Sequence, residues 1–177
     1  MTTKMKINDL KKSIRDIHDF PKEGIIFKDI TTLLKDKDAF KKSVDVLAKK
    51  YKKEGIDYVV SAEARGFIFG AAIAYKLNVG FIPVRKKGKL PSKTKSVTYD
   101  LEYGTDVLEI HEDAIEPGSK VLVIDDLLAT GGTVKAVVDL MKQQKAVIVG
   151  IAFLVELKFL KGKNKLKDLP VYSVIKY

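Results

Sequence analysis

The 177-residue chain contains no cysteine, and this absence excludes disulfides, thiolate catalysis and cysteine-based zinc sites. The two histidines, His18 and His111, stand apart from other metal-ligating residue types, so neither predicts a metal site. No apolar stretch is long enough to span a bilayer, and the lysine-bearing N-terminus lacks the apolar core of a signal peptide. We therefore expect a cytoplasmic protein without a membrane partner. Its length suits one domain with a sizeable core.

The charge of the chain is strongly basic, with a formal net charge of +10 at pH 7. A basic balance can indicate nucleic-acid binding, but the lysines are spread along the whole chain. Residues 85–95 are the exception, because they hold six basic residues and no acidic one. A highly anionic small ligand accounts for this cluster, and we expect no nucleic-acid partner.

Apolar strand-like runs alternate with helical patterns along the chain. Asn8 could cap a first helix that presents Leu10, Ile14 and Ile17 on one face. The later pattern predicts helices near residues 40–51, 66–77 and 134–141, a hairpin of residues 96–101 and 106–110, and core strands at 57–61, 80–84, 121–125, 147–155 and 171–176. This alternation predicts an α/β fold with a mainly parallel sheet flanked by helices, whose ligands bind at the carboxyl ends of the strands.

Residues 121–133 carry the strongest functional signal. An apolar strand ends in Asp125 and Asp126, and a loop of small, hydroxyl-bearing and glycine residues leads into the next helix. Such a loop can aim backbone N–H groups, hydroxyls and a helix N-terminus at one phosphate. Adjacent carboxylates would repel that phosphate, but they can accept hydrogen bonds from vicinal ribose hydroxyls. The segment therefore predicts a ribose 5-phosphate site made of Asp125, Asp126, Ala129, Thr130, Gly131, Gly132 and Thr133.

Each half of this segment also has a purely structural interpretation. A Gly-Gly pair after a strand is often only a turn, and two adjacent aspartates are often a solvated strand end. The occurrence of the acidic pair and the glycine loop together, in this order along one segment, favours a phosphoribosyl site. The Walker pattern and the dinucleotide glycine fingerprint are both absent, which makes ATP and NAD poor candidates.

Residues 125–133 resemble the phosphoribosyl-diphosphate signature of the type I phosphoribosyltransferases. Four further stretches match the same family in order: residues 20–30, 63–67, 83–91 and 99–104. The resemblance covers the chain from about residue 14 to residue 177. It implies one domain with a base-binding hood in residues 1–35 and a flexible hairpin lid in residues 86–110.

The resemblance also implies a reaction. A member of this family that acts on adenine transfers a 5-phosphoribosyl group from 5-phosphoribosyl 1-diphosphate to the base, giving AMP and pyrophosphate in purine salvage. It implies Mg²⁺ bound mainly through the diphosphate, with no dedicated protein ligands, and a homodimer. The alternatives are a transferase for another purine, such as xanthine, and a DNA-binding regulator that keeps the phosphoribosyl pocket. Such a regulator would be expected to carry an added DNA-reading domain, and the residues before Ile14 leave no room for one.

The same resemblance assigns the remaining site residues. The expected pyrophosphate site consists of Glu63, Ala64, Arg65, Arg85, Lys86 and Lys89, and in this family the arginine equivalent to Arg85 can serve a neighbouring subunit. Glu102 and Tyr103 at the lid tip, together with Arg65, are the expected catalytic residues. Glu102 would protonate or hydrogen-bond the purine, and Tyr103 would cover the reacting groups. Ser92 and Lys93 depart from the glycine and acid that the family often has.

Adenine recognition is expected at Ile26, Phe27, Lys28 and Leu157. By resemblance Phe27 stacks on the purine, backbone groups of Ile26 and Lys28 read its edge, and Leu157 borders the base. Adenine offers an amine donor beside a ring acceptor, a pattern that a paired C=O and N–H can match. Residues 25–27 would otherwise be ordinary core. Lys28 stands where the family frequently has arginine.

Overall fold

The computed structural model describes residues 6–100 and 104–177, which include a seven-stranded sheet, a separate two-stranded hairpin and five α-helices. The strands are β1 Arg15–His18, β2 Ile26–Asp29, β3 Tyr58–Ala62, β4 Gly80–Lys86, β5 Thr94–Asp100, β6 Thr105–His111, β7 Lys120–Leu128, β8 Val147–Glu156 and β9 Val171–Lys176. The helices are α1 Ile7–Lys12, α2 Thr31–Lys35, α3 Lys37–Tyr51, α4 Arg65–Leu77 and α5 Gly132–Gln143. Two short 3₁₀ helices, Lys158–Leu160 and Gly162–Leu166, lie between β8 and β9.

The large sheet has the strand order β5-β6-β4-β3-β7-β8-β9. The neighbouring strands β4, β3, β7, β8 and β9 pair in parallel. Strand β6 pairs antiparallel with both β4 and β5. The expected α/β fold with a mainly parallel sheet is therefore confirmed. The predicted hairpin of residues 96–101 and 106–110 corresponds to β5 and β6, and it forms one edge of the sheet.

Alternate residues of the central strands build two hydrophobic cores, one on each face of the sheet. Val59 and Leu122 pack with residues of α3 and α4 on one face. Val60 and Val123 pack with residues of α5 on the other face. Strands that are buried on both faces read as continuous apolar runs, which is why they could be recognised in the sequence. The chain is thus a three-layer α/β/α sandwich.

The N-terminal segment differs from its prediction. The first helix begins at Ile7, not after Asn8, because the Asp9 carboxylate accepts the backbone N–H of Lys6 at 2.9 Å and closes the first turn two residues earlier. The same helix ends at Lys12. Ile17 lies in β1, which pairs antiparallel with β2. The spacing of Ile14 and Ile17 fits a helix, but cross-strand pairing with residues 26–29 outweighs that local pattern.

Strand β7 is longer than predicted. It runs to Leu128, so Asp125 and Asp126 lie inside the strand rather than at its end. The reason is its partner β8, which supplies paired residues as far as Glu156. Helix α5 begins at Gly132, two residues before the expected start at residue 134.

Strand β4 also exceeds its predicted end, since it continues through Arg85 to Lys86 by pairing with β6. Lys86, the expected first residue of the lid, is therefore a strand residue. Within the described ranges, no helix is long and apolar enough to cross a membrane.

Candidate active site

A cleft of about 440 Å³ opens where β3 and β7 end and α4 and α5 begin. It brings together all seven residues expected at the ribose 5-phosphate and three of those expected at the pyrophosphate. Its lining consists of Glu63, Ala64, Arg65, residues 125–133 and Val134. Two segments that are sixty residues apart in sequence thus form one site, because parallel strands carry their carboxyl ends to the same edge of the sheet.

The acidic pair is held from two directions. The Arg65 Nε atom lies 2.9 Å from Asp126 Oδ2, and the Asp126 residue is only 4% exposed. The Asp125 Oδ1 atom accepts the backbone N–H of Asp126 at 2.9 Å. A Cβ atom on Gly66 would lie 2.7 Å from that same oxygen, so this glycine allows α4 to start against the Asp125 carboxylate. The strand and the helix therefore place two carboxylates and one guanidinium side by side.

Both carboxyl groups have raised pKa values. Burial raises the pKa of Asp125 well above its usual range, and the adjacent negative charge of Asp126 raises it further. Burial also raises the pKa of Asp126, although the guanidinium of Arg65 partly offsets the effect. Two acids in this state favour a ligand that donates hydrogen bonds to them, such as a vicinal diol.

The loop after β7 is packed against a segment that the sequence did not predict as part of the site. Gly131 has φ +80°, a left-handed conformation that glycine adopts without strain, and it precedes α5. A Cβ atom on Gly131 would lie 2.5 Å from the Gly162 carbonyl oxygen. Conversely, a Cβ atom on Gly162 would collide with the Ala129 carbonyl oxygen. Gly162 sits in a lysine-rich stretch whose sequence offers no signal for this role.

The hairpin strand β5 also reaches the phosphate loop. A Cβ atom on Gly132 would lie 3.0 Å from the Asp100 carbonyl oxygen and 3.8 Å from the Tyr99 ring. The base of the expected lid therefore adjoins the start of α5. Glu102 and Tyr103, the expected catalytic residues at its tip, lie outside the described residues.

The basic residues at the end of β4 and just beyond it take part in ion pairs and hydrogen bonds at the rim. The Glu63 carboxylate accepts the backbone N–H of Lys86 at 2.6 Å and lies 3.5 Å from the Arg85 guanidinium. Arg85 also donates to the Lys89 carbonyl oxygen at 3.3 Å. The ammonium of Lys86 lies 2.9 Å from Asp106, whose hydrogen bond raises the pKa of the lysine. In the described part of the chain, Arg85, Lys86 and Lys89 are thus beside the cleft and not in its lining.

One residue expected to bind the purine base, Phe27, contacts the cleft through Arg65. The Phe27 ring lies 5.7 Å from the Arg65 guanidinium and makes an edge contact with the Phe20 ring at 5.2 Å. Ile26 is 45% exposed, so β2 is not the ordinary core strand that its apolar residues allowed. Leu157 donates its backbone N–H to the carbonyl oxygen of Leu128 in the cleft lining, at 2.9 Å. The β1–β2 hairpin and the end of β8 therefore flank the same opening.

Comparisons with known proteins agree with this geometry. The family model described as Phosphoribosyl transferase domain matches residues 31–176. The adenine phosphoribosyltransferase of Acidobacterium capsulatum is 57% identical over 176 residues, which cover 99% of this chain and 97% of that protein. That of Trichlorobacter lovleyi is 58% identical over 171 residues, covering 97% and 100% of the two chains.

Solved structures give the same relationship. The crystal structure of adenine phosphoribosyltransferase from Thermoanaerobacter pseudethanolicus superposes with a TM-score of 0.94 at 51% identity, covering 97% of this chain and 100% of that one. The enzyme from Saccharomyces cerevisiae, solved with an imino-altritol bisphosphate and adenine, gives a TM-score of 0.90 at 41% identity, covering 95% and 97%. On the strength of these matches along nearly its whole length, the chain belongs to the adenine phosphoribosyltransferase family.

Proposed function

We propose that this protein transfers the 5-phosphoribosyl group of 5-phosphoribosyl 1-diphosphate to adenine and releases AMP and pyrophosphate, as a purine-salvage enzyme. The observation that carries the proposal is the joining of a buried acidic pair and a glycine-threonine loop in one cleft. A ligand with a phosphate at one end and two adjacent hydroxyls in its ring satisfies both parts. The names of the relatives support adenine as the acceptor.

The phosphate and the ribose take opposite ends of residues 125–133. The loop Ala129–Thr133 gives backbone N–H groups, two hydroxyls and the N-terminus of the twelve-residue helix α5 to the 5-phosphate. Asp125 and Asp126 accept hydrogen bonds from the 2- and 3-hydroxyls. Each hydrogen bond to a charged group contributes roughly 1.5–3 kcal/mol, so the pair fixes the position of the anomeric carbon.

The leaving diphosphate is assigned to Glu63, Ala64, Arg65, Arg85, Lys86 and Lys89. Arg65 lies in the cleft beside Asp126 and can stabilise negative charge that develops as the glycosidic bond breaks. Glu63 acts through its neighbours, because its carboxylate holds the end of β4 and orients Arg85. Lys86 and Lys89 add positive charge at the rim.

Mg²⁺ fits this donor set, since Mg²⁺ sites combine one or two carboxylates with substrate phosphates and retained waters. When bound, mainly through substrate oxygens, the ion would supply positive charge that offsets the charge of the leaving group. We assign it no dedicated protein ligand. The acidic residues that line the cleft are Glu63, Asp125 and Asp126.

Base binding and protection from water are assigned to the two hairpins. Residues 1–35 form the hood, in which Phe27 stacks on the purine and backbone groups of Ile26 and Lys28 read its edge, while Leu157 borders the base. Residues 86–110 form the lid, whose Glu102 interacts with the purine nitrogen and whose Tyr103 covers the reacting sugar. Excluding water protects an oxocarbenium-like transition state from hydrolysis. The closeness of β5 to Gly132 supports a lid at the phosphate end of the cleft.

We further propose that the protein is a cytoplasmic homodimer. Ile68 and Tyr75, which are 39% and 89% exposed, lie seven residues apart on one face of α4. An exposed apolar helix face is typical of a protein interface. Because α4 starts at Arg65, such an interface would lie next to the cleft.

The test of the proposed reaction is a substrate comparison. The protein is incubated with Mg²⁺, 5-phosphoribosyl 1-diphosphate and one of adenine, hypoxanthine, guanine or xanthine, and nucleotide formation is followed by chromatography. We expect AMP from adenine and at least a hundredfold lower kcat/KM with the 6-oxopurines, because a reversed donor–acceptor pattern leaves buried polar groups unpaired. Nucleotide from a 6-oxopurine and none from adenine would overturn the proposal.

A further inference from the structure

Tyr177 lies directly beside the part of the sheet that is assigned to the base. Its backbone N–H donates to the Glu156 carbonyl oxygen at 3.0 Å, and its carbonyl oxygen accepts the N–H of Lys158 at 3.0 Å. These two hydrogen bonds flank Leu157 on both sides. The backbone of Tyr177 is therefore fixed relative to Leu157.

The ring of Tyr177 reaches from the sheet to the hood. The ammonium nitrogens of Lys28 and Lys11 lie 4.1 and 4.2 Å from its centroid, well inside the range of a cation–π contact. The Tyr177 hydroxyl lies 3.5 Å from the Lys11 carbonyl oxygen, to which it donates, and the Lys11 ammonium donates to Lys176 at 3.0 Å. One aromatic side chain thus contacts both α1 and β2.

The Lys28 side chain is held on this face of the hairpin. It is only 10% exposed, and its ammonium lies 2.6 Å from the Asp16 carboxylate on β1. Successive side chains of a strand point to opposite faces, so Phe27 and Lys28 fix β2 from its two sides. The Phe27 ring faces the guanidinium of Arg65 in the cleft, and Lys28 faces Tyr177.

We propose that Tyr177 is a positioning residue for the purine: its ring, contacted by Lys28 and Lys11, sets the distance between the base-reading strand β2 and Leu157. This inference rests on the proposed function for the identity of the base. It also gives a role to the Lys28 side chain, for which only the backbone was assigned at the base. The sugar-phosphate end of the cleft, built from residues 125–133, makes no use of Tyr177.

Steady-state kinetics of Tyr177→Leu test the proposal. We expect KM for adenine to rise roughly 2- to 30-fold, which corresponds to the loss of cation–π contacts, while KM for the diphosphate donor stays within twofold. Tyr177→Phe keeps the ring and should keep most of the affinity for adenine. Lys28→Met should also raise KM for adenine. Adding Lys28→Met to Tyr177→Leu should have little further effect, because both changes break the same contact between Lys28 and the Tyr177 ring.

Tyr172→Leu is the matched control, since Tyr172 lies on the same strand β9 with a lysine ammonium 6.0 Å from its ring. It should leave KM for adenine unchanged even if it lowers the melting temperature. An equal rise of both KM values in Tyr177→Leu would indicate a merely structural role and overturn the proposal. An unchanged KM for adenine would do the same.

Amide hydrogen exchange supplies a readout that does not depend on turnover. In the ligand-free protein, Tyr177→Leu should speed exchange of residues 26–29 at least severalfold relative to the wild-type chain and to Tyr172→Leu. If the wild-type protein fails to use adenine, the proposed function falls, and this measurement still decides whether Tyr177 holds the hood strand. Equal exchange rates in all three proteins would overturn the inference.

Discussion

At the scale of single residues, Asp125 and Asp126 are expected to lower the stability of the folded protein while serving its proposed function. Burial raises the pKa of both carboxyl groups, and the charge of Asp126 raises the pKa of Asp125 further. A carboxyl group whose pKa is raised by folding destabilises the folded state at neutral pH, because the charged form has lost its water. The same two charges are what a ribose diol requires of its binding site. Removing either charge is therefore expected to raise the free energy of unfolding at neutral pH.

Replacement of Asp125 tests this conflict. We expect Asp125→Asn to raise the free energy of unfolding at pH 7, because the amide keeps an oxygen for the Asp126 N–H and removes a buried charge. The gain should shrink as the pH falls below the raised pKa and should approach zero below about 4, where the carboxyl becomes protonated in folded and unfolded chains alike. Urea unfolding of the ligand-free protein between pH 3.5 and 8 measures it. A pH-independent difference, or a loss of stability at pH 7, would contradict the assignment.

The ribose role of Asp126 makes a separate prediction. Asp126→Asn should raise KM for the diphosphate donor roughly 10- to 150-fold, the equivalent of one hydrogen bond to a charged acceptor. It should also separate Arg65 from its 2.9 Å partner. The matched control is Asp139→Asn, which neutralises a carboxylate that pairs with Lys135 on α5 outside the cleft lining. An unaltered donor KM in Asp126→Asn would contradict the ribose role.

At the scale of structural elements, the phosphate loop is shaped by a segment thirty residues downstream. Gly131 and Gly162 approach so closely that neither position leaves room for a Cβ atom. Helix α5 supplies the N-terminus that we propose for the phosphate, whereas the backbone at Gly162, in the 3₁₀ segment Gly162–Leu166, limits where the preceding loop can lie. The conformation of the loop before α5 therefore depends on Gly162, whereas the helix dipole comes from α5 itself.

The substitution Gly162→Ala should displace the loop. Its Cβ would meet the Ala129 carbonyl oxygen and lie 2.9 Å from the Gly131 nitrogen, both of which are backbone atoms that cannot rotate away. We expect KM for the donor to rise at least tenfold and stability to fall by about 1–3 kcal/mol, as for other overpacked sites. Asn164→Ala, an exposed change in the same 3₁₀ segment, should alter neither quantity. Saturation kinetics with the diphosphate donor measure the first change, and thermal unfolding measures the second. An unchanged donor KM in Gly162→Ala would contradict the prediction.

Most elements of the central sheet could be predicted from the sequence because buried parallel strands carry an unambiguous apolar signal. The ends of these strands could not, since they depend on pairing. Asp125 and Asp126 are polar and read as a strand end, yet β8 supplies partners beyond them. The β1–β2 hairpin was missed because the spacing of Ile14 and Ile17 fits a helix, and only the pairing of residues 15–18 with β2 shows a strand.

At the scale of the whole molecule, the cleft depends on contacts that no local pattern contains. The phosphate loop and acidic pair could be identified from residues 125–133 alone, since their chemistry is contiguous in sequence. Gly162 and Tyr177 could not, because each acts by a backbone or ring contact with a distant segment. Phe27 reaches the edge of the cleft only because the β1–β2 hairpin brings its ring 5.7 Å from the Arg65 guanidinium.

The proposed homodimer would extend this dependence to a second copy of the chain through the exposed face of α4. If Ile68 and Tyr75 form a dimer interface, Ile68→Glu combined with Tyr75→Glu should convert a particle of about twice 19.7 kDa into one of single mass, because two buried charges per copy would lack partners. Light scattering after gel filtration measures the mass. Activity should fall with dissociation, since α4 begins at Arg65 and carries the cleft wall. Val147→Glu, which charges a 50% exposed apolar residue at the start of β8, should leave mass and activity unchanged. A wild-type mass of a single chain would contradict the dimer, and an intact dimer in the double variant would place its interface elsewhere.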